Sequence, residues 1–150
     1  MSNWTPHFWL NMAEAYAQGS KDPSLKVGCV IVRPDRTAAS WGCNGFPRGI
    51  KDCPERLTNR MTKLDLTIHA EDNALIFAKE SVAGYTLFST FCPCIRCAVK
   101  IIQSGISRVY FRKNDLNDRW RDSQEMSLKY FAEAGVEVFL VDDVGSILKA

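Results

Sequence analysis

From Thr67 onward the chain alternates helical segments with short β-branched or aromatic runs, and this alternation restricts its possible folds more than any other feature. The patterning predicts a helix from about Thr67 to Ser81, a strand over Thr86 to Ser89 and a helix from Cys94 to Ser104. A strand over Arg108 to Phe111, a helix from Ser123 to Ala134 ended by Gly135, and a strand over Val136 to Val141 follow. Strands joined by helices of this length run through right-handed crossovers, which bury the sheet between helical layers.

Ahead of this region, Phe8, Trp9, Met12, Ala15 and Tyr16 fall at helical spacing between Trp4 and Gln18, and Thr5-Pro6 supplies an N-cap and a first-turn proline. The run from Lys26 to Arg33, a turn at Pro34-Asp35-Arg36 and a return from Ala38 to Cys43 read as a hairpin. The expected architecture is therefore α/β, a three-layer α/β/α fold with a central mixed five-stranded sheet. The stretch from Gly45 to Leu66 carries Pro47, Gly49 and Pro54 without a convincing period, so it is expected to be irregular, and its length suggests a functional loop. Residues Asp142 to Ala150 read as a tail or a short helix.

With 150 residues, 46% hydrophobic and 24% charged, residues 1–150 suit one domain with its own core. A formal charge of +2, with Lys and Arg interspersed among Asp and Glu, lacks the basic stripe of a dedicated nucleic-acid binder. The opening residues show no charged start followed by an apolar run, and no stretch has the composition of a membrane span, so a cytoplasmic protein is expected. Six cysteines, three of them clustered at Cys92, Cys94 and Cys97, fit reduced thiols and metal binding better than a disulfide framework.

The chemistry concentrates in His69-Ala70-Glu71 and Pro93-Cys94-Ile95-Arg96-Cys97, each at the start of a predicted helix. Cysteines three apart at a helix start put both sulfurs on one side, close enough to share a tetrahedral ion, and the helix N-terminus favours thiolates. One His and two Cys leave a fourth position open, as in a catalytic zinc site, and zinc brings the ionisation of water near neutrality. Glu71, two residues beyond His69, can take a proton from that water and hand it to a ring nitrogen and then to a departing amine. A thiol redox pair at Cys94 and Cys97, or a closed structural site completed by Cys92, Cys53 or His7, are the alternatives.

Paired in this way, His-x-Glu and Pro-Cys-x-x-Cys form the signature of zinc nucleobase deaminases. Four blocks covering most of the chain resemble more narrowly the deoxycytidylate (dCMP) deaminase family of the cytidine deaminase-like superfamily. They are Ser20-Lys21-Asp22-Pro23 leading to Val27-Gly28, Gly42-Cys43-Asn44-Gly45-Phe46-Pro47-Arg48-Gly49 with Asp52, His69 to Leu75, and Pro93 to Ile106. The resemblance implies hydrolysis of dCMP to dUMP and ammonia by a zinc-activated hydroxide, supplying dUMP for thymidylate synthesis. It further implies one catalytic zinc per chain, activation by dCTP, inhibition by dTTP, magnesium on the triphosphate effector, and a homo-hexamer.

Carried over by position, Asn44 contacts the sugar hydroxyl and base, and Asn44, Gly45, Phe46, Arg48, Gly49, Lys51 and Asp52 form the effector site. For the substrate phosphate, Arg121 beside Trp120 is the first candidate, Lys26 the second and Lys21 the third. Cys43 stands where this family usually has tyrosine, and Trp120 offers no phenolic hydroxyl. With only His7 and His69, a second, histidine-based zinc site is not expected. Competing readings are a dual dCMP/dCTP deaminase, a base deaminase on tRNA or single-stranded nucleic acid, and a non-catalytic zinc module. A nucleic-acid deaminase needs a cationic groove with stacking aromatics, which this charge balance does not favour.

Overall fold

The fold is known from a computed structural model that describes residues 4–112 and 118–150. In chain order the elements are α1 (Pro6–Ala17), β1 (Gly28–Val32), β2 (Ala38–Cys43), α2 (Pro54–Thr58), α3 (Arg60–Leu66), α4 (Ala70–Phe77), β3 (Thr86–Ser89), α5 (Ile95–Gln103), β4 (Arg108–Arg112), α6 (Asp118–Glu133), β5 (Glu137–Val141) and β6 (Ile147–Lys149). Among the described residues the strands form one sheet in the order β2-β1-β3-β4-β5-β6. β1 pairs antiparallel with both β2 and β3, β3-β4 and β4-β5 are parallel, and β6 returns antiparallel to β5.

Helices cover both faces, as the alternation required. On one face α1 packs Trp9, Leu10 and Ala13 against Val30, Val32 and Phe88. On the other, Ala70 and Ala74 of α4, Cys97, Ala98 and Ile101 of α5 and Phe131 of α6 surround Cys29, Ile31, Leu87 and Val109. Successive parallel crossovers in one direction along a sheet place their helices on one side, so α5 and α6 share that face. The α1 face also carries an aromatic stack across three strands, Phe88 on Tyr110 at 5.0 Å and Tyr110 on Phe139 at 4.7 Å, each pair in register.

Two glycines set the depth of this packing. A Cβ on Gly28 would lie 1.8 Å from the Ala13 carbonyl oxygen of α1, and one on Gly42 would lie 2.2 Å from the Ala70 carbonyl oxygen of α4. Gly42 pairs with Cys29, the neighbour of Gly28, so the bare positions face opposite sides of one hairpin. Helices α1 and α4 therefore rest directly on strand backbone.

The structure departs from the sequence-based expectations in three places. The sheet has six strands instead of five, because residues 142–150 turn back to add β6 beside β5 and do not form a tail or helix. Asp142 Oδ1 accepts from the Val144 and Ser146 amides, and Gly145 takes the left-handed φ of 84° that closes the turn. The stretch expected to be irregular contains α2 and α3, the first opened by Pro54 and the second capped by Asn59, whose side chain accepts from the Thr62 amide at 3.0 Å. Helices of five and seven residues are too short to display a period. Finally, α4 is confined to residues 70–77, and α6 starts ahead of Ser123.

Candidate active site

Two helix N-termini meet on the α4–α5 face. His69 is the N-cap residue of α4 and Cys94 that of α5, each with extended backbone and neither with a side-chain cap hydrogen bond. Their side chains turn toward each other instead: His69 Nδ1 lies 3.4 Å from Cys94 Sγ and 3.3 Å from Cys97 Sγ. All three ligand atoms fall within 4.8 Å of one another. Ligands at zinc bond lengths of roughly 2.0–2.3 Å and tetrahedral angles stand about 3.5 Å apart, so this set fits a zinc ion in both chemistry and spacing.

The surrounding chain holds both helix starts in place. The Gly28 amide donates to Thr90 Oγ1 at 3.1 Å and the Thr90 amide to the Gly28 carbonyl at 3.0 Å, which pins the β3–α5 connection to β1. Ser123 of α6 accepts from the Ile95 amide at 2.9 Å, supplying from another helix the cap that Cys94 does not. Lys100 Nζ reaches Asp72 Oδ2 at 2.6 Å, tying α5 to α4.

Glu71, in the first turn of α4, is 3% exposed and accepts from the Ser89 hydroxyl at 2.6 Å. Burial raises its carboxyl above the ordinary value, with the Ser89 hydrogen bond opposing. A carboxyl in such a setting can both accept and return a proton. Hydrogen bonding from Cys97 pushes the Cys94 thiol down to about 4 against the effect of burial, with His69 assisting, while the shared proton keeps Cys97 well up. His69 is raised first by its bond to Cys94, against burial. Burial pushes Cys92 up to about 12, and its sulfur is outside the His69-Cys94-Cys97 group. A closed site completed by Cys92 therefore finds no support among the described residues.

His69, Glu71, Cys92 and Cys94 line a cavity of about 720 Å³, within the range that holds a small-molecule ligand. The described residues 4–112, with Arg112 followed by Lys113, fall in a span that matches the model of the cytidine and deoxycytidylate deaminase zinc-binding region, over residues 4–113. The chain belongs to this deaminase family. It is 42% identical over 140 residues to an uncharacterized deaminase in the luxG 3′ region of Aliivibrio fischeri, covering 92% of this chain and 93% of that one. It is 36% identical over 145 residues to deoxycytidylate deaminase of Saccharomyces cerevisiae, covering 91% of this chain but 44% of the yeast protein. The fold superposes on the dCMP deaminase of cyanophage S-TIM5 in complex with dCMP and dUMP, with a TM-score of 0.71, 28% identity and coverage of 94% and 99%.

Other residues singled out from the sequence are distributed unevenly around the cavity. Asn44 and Trp120 line it. Asn44 is buried and staples the loop before β1: Oδ1 accepts from the Val27 amide at 2.9 Å and Nδ2 donates to the Leu25 carbonyl at 2.9 Å. Lys26 and Arg121 are exposed and stand outside the lining, and Lys21 pairs with Asp52 at 3.1 Å. Of the loop behind Asn44, Gly45 bridges to Ile68, Phe46 is half-buried, Arg48 stacks on the Phe77 ring at 4.7 Å, Gly49 has a φ of 78°, and the Lys51 carbonyl accepts from Arg56 at 3.0 Å.

Sequence reasoning missed Ser89, Asp22, Arg60 and Lys63. Asp22, Arg60 and Lys63 line the cavity, and Lys63 Nζ bonds Asp22 Oδ1 at 2.9 Å. The Asn59 cap and the spacing of three between Arg60 and Lys63 were the available signals for the two cations. Ser89, a small polar residue closing an apolar strand, gave none.

Proposed function

We propose that this chain is a zinc-dependent deaminase that hydrolyses dCMP to dUMP and ammonia. The observation that carries the reading is the buried Glu71 with the His69-Cys94-Cys97 group at a nucleotide-sized cavity that Glu71, His69 and Cys94 line. Its family membership and its similarity to named deoxycytidylate deaminases support the choice of substrate.

His69, Cys94 and Cys97 would hold the zinc, whose Lewis acidity makes water ionise near neutrality. Glu71 takes a proton from the attacking water and passes it to N3 of the cytosine ring, then takes the second proton from the hydroxyl now on C4 and hands it to the departing amine, so the carbonyl forms, one water is consumed and one ammonia is released. Ser89 holds Glu71 Oε1 and so sets the carboxylate's orientation. Asn44 Oδ1 keeps a second lone pair beyond its bond to Val27, with which it accepts from a sugar hydroxyl. Trp120 walls the cavity from α6.

On this reading, residues 1–150 are one deaminase domain working in the cytoplasm, assembled as a homo-hexamer. The turn from Phe46 to Asp52 binds a triphosphate effector with its magnesium, dCTP activating and dTTP inhibiting. The left-handed Gly49 and the exposed Arg48 and Lys51 support a polyanion site there. The test is turnover of dCMP, CMP, dCTP and deoxycytidine, followed by ultraviolet absorbance with and without dCTP and dTTP. Preferred turnover of dCMP is expected. Zinc-loaded protein inert toward all four would overturn the reading, and preferred turnover of dCTP would replace dCMP as substrate.

A further inference from the structure

We propose that Arg60 reads the 5′-phosphate and so distinguishes nucleotides from nucleosides, an assignment that rests on the nucleotide reading above. Among the described residues, Arg60 and Lys63 are the cations lining the cavity. They lie three apart on α3 and therefore share a face of that helix.

Their charges are not equally available. Lys63 Nζ donates to Asp22 Oδ1 at 2.9 Å and to Ser24 Oγ at 3.1 Å. Asp22 is buried and also accepts from the Ser24 and Leu25 amides at 2.8 and 3.2 Å, so the ion pair is built into the wall. Among the described residues Arg60 has no ion-pair partner. Among the described residues the carboxylates lining the cavity are Asp22 and Glu71. With Asp22 matched by Lys63, Arg60 supplies the unmatched positive charge.

A nucleotide has its reacting amino group and its phosphate at opposite ends. With the base against Glu71, repulsion from that carboxylate favours placing the phosphate at the wall made by α2 and α3. Arg60 there is exposed and offers the planar fork of donors that suits phosphate oxygens. Lys26 and Arg121 stand outside the lining, and Lys21 is engaged with Asp52.

The test is calorimetric titration of the zinc-loaded protein with dUMP and with deoxyuridine, which requires no turnover. The wild-type chain should prefer dUMP, and Arg60→Ala should lower that preference about tenfold, a charge-assisted contact at a solvent-facing lip. Arg60→Lys should keep part of it. Arg56→Ala, an equal charge loss on α2 outside the lining, should leave it at the wild-type value. An unchanged preference in Arg60→Ala, an equal fall in Arg56→Ala, or a fall in Arg121→Ala alone would overturn the assignment. A wild-type chain that binds dUMP in this Arg60-dependent way yet does not turn over dCMP would sink the substrate reading and leave the phosphate site standing.

Discussion

The Ser89 hydroxyl donates to Glu71 Oε1 across 2.6 Å, with both side chains shut away from solvent. The last residue of β3 thus fixes the carboxylate on α4, and the two elements are joined at the point where protons must move. Ser89→Ala should lower kcat roughly 10- to 100-fold, the usual effect of losing an orienting partner. Its zinc content, measured by atomic absorption, should stay that of the wild type.

Glu71→Gln separates proton transfer from metal binding. The amide fills the same volume but cannot shuttle a proton, so kcat should fall by about 10²- to 10⁴-fold while zinc is retained. Full activity in this variant would refute the assigned role.

Asp22 gives stability a defined pH dependence. Burial pushes its carboxyl up, but the hydrogen bonds from Lys63 and from the Ser24 and Leu25 amides outweigh burial and hold it below the ordinary value of 3.8. A carboxylate lowered on folding stabilises the fold fully above its ordinary value, and that contribution disappears as pH falls through the folded one. At pH 7 Asp22→Asn should lose about 1–2 kcal/mol, or roughly 2–8 °C in Tm for a chain of this size. Thermal melts at decreasing pH should show the gap to wild type closing below 3.8.

Gly42→Ala tests the seat of α4. The added methyl would meet the Ala70 carbonyl oxygen at 2.2 Å and the Ala74 amide nitrogen at 2.5 Å, both backbone atoms. Overpacking of this kind costs about 1–3 kcal/mol, and because α4 carries Glu71 and follows His69, activity should fall as well. Gly45→Ala meets nothing within 4 Å and should melt with the wild type.

Chelation should lower Tm, and zinc, not magnesium, should restore it. His69 and Cys94 occupy N-cap positions without capping hydrogen bonds, so a shared ion would brace both helix starts. A ligand at a thousandfold excess over its Kd adds about 4 kcal/mol, a shift readily seen by scanning calorimetry.

Much of this site was legible because the chemistry sits at helix starts. His69, Glu71, Cys94 and Cys97 stand out as a paired His-x-Glu and Pro-Cys-x-x-Cys signature, and the structure brings His69, Cys94 and Cys97 together with Glu71 buried. Layering of helices on both faces also followed from the alternation of elements. The edge strand β6 did not, since three exposed residues cannot show alternating burial. Nor did the two cavity-lining cations, which required a seven-residue helix to be found inside a Pro- and Gly-marked stretch. Asn44 was identified as a site residue, but only three-dimensional contacts reveal that most of its amide is committed to holding the preceding loop.

The bare positions at Gly28 and Gly42 also act as an alignment check on the hairpin. Moving β1 by a single residue would present the Cys29 side chain to α1 and carry Gly28 to the face of α4. Helix α1 could then not settle, and the Gly28–Thr90 hydrogen bonds that pin the β3–α5 connection, and with it Cys94 and Cys97, to β1 would be lost. The metal site is thereby coupled to correct strand pairing by two residues that contribute no side chain to it, so misaligned chains would be unable to assemble the site at all.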